Sequence, residues 1–242
     1  MHVDENTRNL LIDLNRTFYQ TFAQEFSATR QRLQPGVRRL LDKISYLENI
    51  LDLGCGNGQL GKALLDRGHE GLYTGLDSNL RLLKIAREIL PEQRNIHLLQ
   101  EDLTNNGWDL RLPVYQYNIV LAFAVFHHIP GFALRKHILN NVAAHIPPNA
   151  NFIHSEWQFL NSPRLRERIQ PWERIGLEIE DVEDGDYLID WRSGGHGLRY
   201  VHLFEIEELD DLAAQTGFEI TDSFLSDGEG GNLGIYQVWK RL

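Results

Sequence analysis

A short apolar run followed by a glycine-rich turn constrains the fold of this chain more than any other feature. Residues 50–53 are apolar apart from Asp52, the turn 54–58 follows, and a helical pattern begins near Leu60. Glycine lets the backbone turn sharply and approach a ligand closely, and the N–H groups at a helix start can bind an anion. The pattern therefore predicts a strand, a ligand-binding loop and a helix.

Acidic residues at the ends of three successive apolar runs narrow the identity of the ligand. Asp52 precedes the loop, Asp77 ends the next run, and Asp102 follows the third. The GxGxxG pattern that starts at Gly56 also fits a dinucleotide-binding loop, but an acid beside the loop would repel a pyrophosphate. S-adenosylmethionine carries an ammonium and a sulfonium and has no phosphate. The acids therefore favour this ligand, although each acid alone is compatible with an ordinary turn residue.

Length and composition are those of one globular domain with a decoration. The 242 residues are 42% hydrophobic and 24% charged, enough to bury a substantial core. The longest apolar stretch, 119–125, is too short to span a bilayer, and 1–14 lacks the pattern of a secretory signal. We therefore expect no membrane association. The single cysteine, Cys55, suits a reducing cytoplasm, and we expect a cytoplasmic location.

The net charge of −10 argues against a broad nucleic-acid-binding surface, but it leaves room for local basic patches. Two groups of basic residues occur, and we interpret both as solvated helix faces, which is the ordinary role of such clusters. The first group comprises Arg30, Arg32, Arg38, Arg39 and Lys43, and the second comprises Arg164, Arg166, Arg168 and Arg174.

Apolar spacing predicts an N-terminal helical layer followed by an α/β core. Apolar residues from Leu10 to Phe26 recur at helical spacing, and Pro35 begins a second helix that extends to Leu47. Strands and helices then alternate, which implies a parallel, doubly wound sheet. The pattern predicts strands at 49–53, 71–77, 96–100, 117–123 and 152–157, helices at 58–67, 79–90, 132–145 and 205–216, and a closing hairpin at 218–225 and 234–240.

One segment interrupts this alternation. It contains an arginine-rich helical piece, an acidic run from Glu178 to Asp190, and the turn 193–195. We interpret it as an inserted substrate lid; the alternative is a decoration that does not contact substrate. A single domain, 1–242, is then divided into N-terminal helices (1–48), a cofactor-binding core (49–157), the inserted lid (158–200), and a C-terminal helix and hairpin (201–242).

The glycine loop and the acidic strand ends resemble the motifs of class I S-adenosylmethionine-dependent methyltransferases. The resemblance implies a Rossmann-like, mostly parallel seven-stranded sheet with a C-terminal antiparallel hairpin, and S-adenosylmethionine as cofactor. By position, Asp52 would meet the methionine ammonium, Asp77 the ribose hydroxyls, and Asp102 the adenine amino group. The motifs are Asp52-x-Gly54-x-Gly56-x-Gly58, Gly75-Leu76-Asp77-Ser78-Asn79 and Gln100-Glu101-Asp102-Leu103. The expected cofactor-binding residues are Arg30, Asp52, Gly54, Cys55, Gly56, Asn57, Gly58, Asp77, Ser78, Asn79, Glu101, Asp102, Leu103, Ala122 and Phe123.

Three further stretches narrow the resemblance to one group within that class. Residues 22–30, 124–129 and 199–204 are similar to the tRNA wobble-uridine carboxymethyl methyltransferases, which esterify a carboxymethyl group on the anticodon base. The resemblance implies tRNA as the substrate, and some members of such families need a small activating protein or serve as non-catalytic subunits that bind S-adenosylmethionine. The alternative is a small-molecule O- or N-methyltransferase, which the acidic net charge and the inserted segment favour.

Two histidines after the fourth predicted strand are candidates for acceptor chemistry. His127 and His128 could serve as a base, an acceptor anchor or metal ligands. No Cys, His or Asp set has convincing metal-site spacing, so we expect no metal. The acidic or amide residue with two prolines and an aromatic, which marks base-amino methylation, is absent here. Cys55 is interpreted as a packing residue rather than a nucleophile for base-carbon methylation.

A carboxylate acceptor makes light chemical demands, because it is already ionised at neutral pH and needs no general base. A forked arginine with a tyrosine or histidine nearby is suited to hold it. Arg199, Tyr200 and His202 precede the last helix, where the resemblance places polar pocket residues, and Arg192 is a second candidate anchor. We therefore expect these residues to bind the acceptor, with Arg30 closing the pocket from the N-terminal layer.

Overall fold

Three helices form the N-terminal layer of the computed structural model, which describes residues 3–113 and 116–242. They are α1 (Glu5–Thr21), α2 (Ala23–Thr29) and α3 (Pro35–Leu41). The first predicted helix is thus two helices, because the backbone leaves helical geometry at Phe22. The second ends before the predicted Leu47, whose side chain is exposed and has no core contact to extend the helix.

Strands and helices alternate through the rest of the chain, in the predicted order up to the insert. Helix starts follow local chemistry; the Asn79 side chain, for example, caps α5 by accepting from two backbone N–H groups. The elements are β1 (Ile50–Leu53), α4 (Gln59–Asp66), β2 (Tyr73–Asp77), α5 (Leu80–Ile89), β3 (Ile96–Gln100), β4 (Ile119–Phe123), α6 (Phe132–Ala144), β5 (Asn151–Trp157), α7 (Pro163–Arg166), β6 (Ile169–Gln170), β7 (Asp186–Trp191), β8 (Gly197–His202), α8 (Ile206–Gln215), β9 (Phe218–Ser226) and β10 (Gly234–Arg241).

Seven strands form one mostly parallel sheet in the order β3-β2-β1-β4-β5-β10-β9. The first five strands of this order run parallel, and β10 pairs antiparallel with both β5 and β9. Consecutive residues of β4, Ile119 and Val120, belong to separate buried clusters on the two faces of the sheet. The doubly wound, Rossmann-like fold with a C-terminal antiparallel hairpin is confirmed.

The segment between β5 and α8 contains a second, three-stranded antiparallel sheet in the order β6-β7-β8. The sequence pattern does not predict these strands, and β8 extends to His202, past the expected end of the insert at residue 200. Helix α1 packs on β8, where the Asn15 side chain accepts from the Tyr200 N–H (2.8 Å) and donates to its carbonyl (3.1 Å). The insert and the N-terminal layer therefore form one unit over the carboxyl ends of the main sheet.

Among residues 3–113 and 116–242, no helix is long and apolar enough to cross a membrane.

Candidate functional site

A cavity of about 580 Å³ opens at the carboxyl ends of β1, β2 and β4 and extends under α1 and α2. Ligands in open α/β sheets bind at this edge, next to the point where the strand order reverses. Most of the expected cofactor residues line the cavity, whereas Gly58 and Ala122 do not. The expected residues that line it are Arg30, Asp52, Gly54, Cys55, Gly56, Asn57, Asp77, Ser78, Asn79, Glu101, Asp102, Leu103 and Phe123.

The glycine loop keeps the floor of the cavity open. Gly54, Gly56 and Gly58 have positive φ angles of 68°, 56° and 78°, which L side chains rarely adopt. A Cβ on Gly54 would come within 2.7 Å of Val125, and one on Gly58 within 2.9 Å of Ala86. Gly58 is therefore needed for the turn and for packing against α5 rather than for direct contact with a ligand.

Asp52 places a buried carboxyl group in the cavity wall. Its side chain is only 2% exposed and accepts a hydrogen bond of 2.6 Å from the Tyr73 hydroxyl. Burial raises the pKa of Asp52 to about 7, although the Tyr73 hydrogen bond opposes the shift. A cation bound beside this carboxyl would favour its ionised form, so the position suits an ammonium group.

Asp77 and Asp102 lie next along the same edge. Asp77 accepts from the backbone N–H of Gly56 (2.9 Å) and Asn79 (2.7 Å), which ties the end of β2 to the glycine loop. Burial raises the pKa of Asp77 to about 6. Asp102 forms an ion pair with Arg16 of α1 at 3.0 Å. The three acids thus face one cavity in the order that the sequence predicts.

Arg199 is the cation of the opposite wall. It is 6% exposed, and its guanidinium carbon lies 4.9 Å from the ring centre of Trp157, 5.4 Å from Phe18 and 5.6 Å from Trp191. No carboxylate in the described part of the chain forms an ion pair with Arg199, and its Nε has no hydrogen-bond partner there. A buried cation is costly unless it is paired, so this geometry suits an anionic ligand.

His128 and Tyr19 form a hydrogen-bonded pair in the same wall. The Tyr19 hydroxyl lies 2.7 Å from His128 Nε2, and His128 Nδ1 lies 3.3 Å from the Tyr200 carbonyl oxygen. Burial lowers the pKa of His128 to about 3, so the ring is neutral. Since a carbonyl oxygen only accepts, Nδ1 carries the proton and Tyr19 donates to Nε2.

His127 contacts a buried acid instead. Its Nδ1 lies 2.9 Å from Glu156, which also accepts from the His127 backbone N–H and lies 3.0 Å from His154 Nδ1. Burial lowers the pKa of His127 and raises that of Glu156, which favours a neutral pair. Both side chains line the cavity, but the pair carries no charge to attract an ionic acceptor.

Tyr200 and His202 lie outside the cavity, contrary to the expectation that they bind the acceptor. Alternate residues of a strand face opposite sides, so the neighbours of Arg199 in β8 cannot all point the same way. The Tyr200 hydroxyl and His202 Nδ1 both contact Asp186 at 2.7 Å. Arg192, the second candidate anchor, is an exposed residue paired with Asp190 and lies outside the cavity as well.

A buried charge network connects the insert to the core. Arg135 of α6 is 1% exposed and donates to Glu183 (2.8 Å) and Glu208 (2.9 Å), and His202 Nε2 lies 2.7 Å from Glu208. Burial opposes protonation of His202, but its hydrogen bonds to Asp186 and Glu208 raise its pKa overall. Glu183, Asp186 and His202 offer ligand atoms within 4.8 Å of one another. Since these groups already bind Arg135 and each other, we interpret the cluster as structural.

Tyr19, Glu156 and Trp157 also line the cavity, although the sequence pattern does not single them out. Tyr19 lies inside an amphipathic helix next to the apolar residue Phe18, and Trp157 and Glu156 end a strand. None of them belongs to a motif, so no local signal in the sequence could have found them.

Comparison with known proteins agrees with this geometry. The family model described as a methyltransferase domain matches residues 23–223. The chain therefore belongs to the methyltransferase-domain family. A solved S-adenosylmethionine-dependent methyltransferase from Methanosarcina mazei shares the fold with a TM-score of 0.64 at 21% identity, over 87% of this chain and 98% of that one. The protein is an S-adenosylmethionine-dependent methyltransferase, and S-adenosylmethionine is its cofactor.

Three relatives show how far the similarity extends. A protein of Encephalitozoon cuniculi, named among the methyltransferases, is 28% identical over 208 residues, which is 85% of this chain and 87% of the relative. The tRNA (carboxymethyluridine(34)-5-O)-methyltransferase of Schizosaccharomyces pombe is 24% identical over 84% of this chain and 88% of its own length. The trans-aconitate 2-methyltransferase of Acidovorax ebreus is 31% identical over 50% of this chain and 42% of its own length.

Proposed function

We propose that this methyltransferase methylates a carboxylate oxygen of its acceptor. The observation that carries the proposal is Arg199, a buried guanidinium held by three aromatic rings and left without a carboxylate partner in the described residues. A forked guanidinium pairs with a carboxylate through two parallel hydrogen bonds, which fixes the orientation as well as the charge. Orientation of that kind can contribute several kcal/mol to the lowering of a barrier, on the order of 7–11 kcal/mol at most.

The half of the cavity that contains the glycine loop would hold the cofactor. Asp52 would bind the methionine ammonium, Asp77 the ribose hydroxyls, Asp102 the adenine amino group and Arg30 the methionine carboxylate, since all four residues line this cavity. The positive-φ glycines leave room beside these acids, since a Cβ on Gly54 would need Val125 to move. S-adenosylmethionine supplies an electrophilic methyl group, and the protein's part is to orient the acceptor toward it.

A carboxylate acceptor agrees with the protonation of the two histidines. Burial lowers the pKa of both His127 and His128, and His128 lone-pair capacity is already used by the Tyr19 hydroxyl. Neither ring is poised to take a proton near neutral pH, where a general base works best. Since a carboxylate has no proton to lose, we assign the histidines to positioning Tyr19 and the loop after β4.

Two relatives support the same acceptor chemistry, because both of their names describe acceptors that carry a carboxylate. They suggest two acceptor candidates for this chain: carboxymethyluridine at the tRNA wobble position, and a small carboxylic acid. A small activating protein partner and a cytoplasmic location belong to the first candidate. A non-catalytic role as a cofactor-binding subunit would instead require that the chain form no product alone.

A second candidate function is methylation of a hydroxyl or amine on a small molecule. The observation that favours it is the 2.7 Å contact between Tyr19 and His128 in the cavity wall. A phenolic oxygen held by a histidine can relay a proton away from an acceptor. This candidate requires a proton to leave, so its rate should depend on pH where the carboxylate reaction does not.

The decisive experiment uses S-adenosylmethionine with a labelled methyl group and two acceptors, trans-aconitate and tRNA containing 5-carboxymethyluridine. A carboxyl ester releases its label as methanol in mild base, whereas an ether or a methylamine keeps it. We expect base-labile product from wild type, and a loss of at least 30-fold in turnover for Arg199→Met, since one partner of a buried charged pair is worth about 2–5 kcal/mol.

Two controls make the result specific. Arg166→Met removes an exposed arginine of the insert and should retain wild-type turnover. Calorimetry should show that Arg199→Met still binds S-adenosylmethionine, which establishes that the fold is intact. Base-stable product, or full activity of Arg199→Met, would refute the carboxylate proposal.

A further inference from the structure

We infer that the insert carries a second, anion-binding site formed by Arg164, Arg168 and Arg192, which takes a phosphate group carried by the acceptor. These residues line an open depression of about 490 Å³ on the insert, together with Glu167 and Ser193. Two acids, Glu167 in the depression and Asp190 paired with Arg192, therefore stand against three arginines, in a chain whose net charge is −10. That the phosphate belongs to the acceptor rests on the proposed function, whereas the anion site itself does not.

The arginines of this depression differ from the other basic group of the chain. In the N-terminal group, Arg39 stacks over the Phe224 ring at 3.9 Å and Lys43 pairs with Asp222 at 2.9 Å. Within the described residues, by contrast, neither Arg164 nor Arg168 has an ion-pair partner, although a long acidic run follows in the same insert. Of the acids in that run, Glu183 pairs with Arg135 and Asp190 pairs with Arg192, so Arg192 is the paired member of the three arginines.

Local structure holds the three guanidinium groups on one surface. Arg164 lies in α7, and Arg168 follows one helical turn later, directly before β6. The Arg168 carbonyl accepts from the Asp190 N–H (2.9 Å), which joins this turn to the end of β7. Asp190 in turn holds Arg192 Nε at 2.8 Å. The site is thus built on the small sheet rather than on a free loop.

Helix α7 contributes a residue to both sites. Leu165, which follows Arg164 directly, lines the 580 Å³ cavity together with Trp157 and Arg199. An acceptor whose carboxylate reaches Arg199 can therefore extend past Leu165 onto the arginines. Their planar forks bind phosphate oxygens through paired hydrogen bonds, and a phosphate offers more charge and more acceptor atoms than a carboxylate.

The test compares two double variants that change the net charge equally. Arg164→Ser/Arg168→Ser removes two arginines of the depression, and Arg166→Ser/Arg174→Ser removes two exposed arginines of the same insert that do not line it. Calorimetry on the full chain, saturated with S-adenosylhomocysteine, measures binding of inorganic pyrophosphate and of a ten-residue uridine oligonucleotide. We expect the first variant to bind at least tenfold more weakly than wild type, and the second to stay within twofold.

The two probes separate the possible sources of the phosphate. Tighter binding of the oligonucleotide than of pyrophosphate, with a salt dependence of log affinity that becomes about 0.7 shallower per lost contact in the first variant, would support a nucleic-acid acceptor. Equal binding of both probes would support a phosphorylated small molecule. No binding of either probe to wild type, or equal weakening in both variants, would overturn the site.

The test of the anion site is independent of the test of the proposed reaction. A wild type that forms base-labile ester but binds neither probe would overturn the anion site and leave the proposed reaction standing. A wild type that binds the probes through Arg164 and Arg168 but forms no ester would retain the site and overturn the reaction.

Discussion

On the proposed cofactor side of the cavity, most polar groups come from the ends of β1 and β2 and the loops that follow β1, β2 and β3, with Arg30 after α2. On the proposed acceptor side they come from α1, β5, β8 and the turn after β4. Asp77 accepts hydrogen bonds from the backbone N–H groups of Gly56 and Asn79, which lie in the glycine loop and directly after β2. Arg199 is held by Phe18, Trp157 and Trp191, which are distant from one another in the sequence.

The two halves of the cavity therefore depend on different interactions. The cofactor half is fixed by backbone geometry at strand ends, and it would persist if the insert loosened. The acceptor half exists only while the insert and α1 are held against the core, which the buried network around Arg135 accomplishes. Changes in the two halves should therefore have separable effects.

The largest expected effect is on the anchoring of the insert. Arg135→Leu leaves Glu183 and Glu208 without their buried cation, and breaking a buried ion pair on one side costs about 3–5 kcal/mol. We expect the free energy of unfolding in urea to fall by that amount, with a smaller loss for the surface change Lys136→Leu. If the halves are separable, the folded variant loses turnover before it loses binding of S-adenosylmethionine. Equal loss of both would contradict the comparison.

The second-largest expected effect is weaker binding of S-adenosylmethionine, from a change in the cofactor half. Asp52→Asn keeps the shape of a buried side chain but removes the charge that we propose faces the methionine ammonium. We therefore expect the free energy of binding S-adenosylmethionine to weaken by about 2–5 kcal/mol. Calorimetry measures the loss, and Asp66→Asn on the exposed end of α4 is the matched control. An unchanged affinity would show that the ammonium lies elsewhere.

The pH dependence of S-adenosylmethionine binding gives a second test of the cofactor half. The pKa of Asp52 is raised to about 7 in the free protein, whereas a bound ammonium requires the ionised carboxylate. Binding therefore releases a proton below pH 7, and affinity for S-adenosylmethionine should fall as the pH drops, by up to about tenfold per unit. Methylthioadenosine lacks the ammonium and is the control. Its affinity should decline only below about pH 6, where Asp77 protonates. Coincident profiles would argue against the Asp52 assignment.

The smallest effect is expected at Tyr19. Tyr19→Phe removes one hydrogen bond to His128, a change of about 1 kcal/mol, and leaves the aromatic packing in place. With a carboxylate acceptor, turnover should fall less than tenfold and stay flat above about pH 6, where the acceptor is ionised. A steep fall below pH 7 in wild type, together with inactivity of Tyr19→Phe and His128→Ala, would instead support methylation of a hydroxyl or amine.

Local sequence patterns predict the main sheet, its helices and most of the residues around the glycine loop. Strand ends and glycine turns are local features, and their order along the chain places Asp52, Asp77 and Asp102 at one edge because parallel strands share a direction. Most errors in the main fold were in element bounds, as at Phe22 and Leu47, where packing rather than apolar spacing ends the helix.

The proposed acceptor half depends on tertiary contacts that the sequence pattern does not reveal. Strand β6 has only two residues and β7 lies within the acidic run, so the insert shows no clear alternation from which its strands could be predicted. Arg199 faces the cavity, while Tyr200 and His202 face the buried network. The sequence alone does not show this, because the direction of each side chain in β8 depends on the register of β8 with β7 and on its contact with α1. The residues we propose for the cofactor lie mostly in contiguous motifs, whereas those we propose for the acceptor are single side chains that long-range packing brings together.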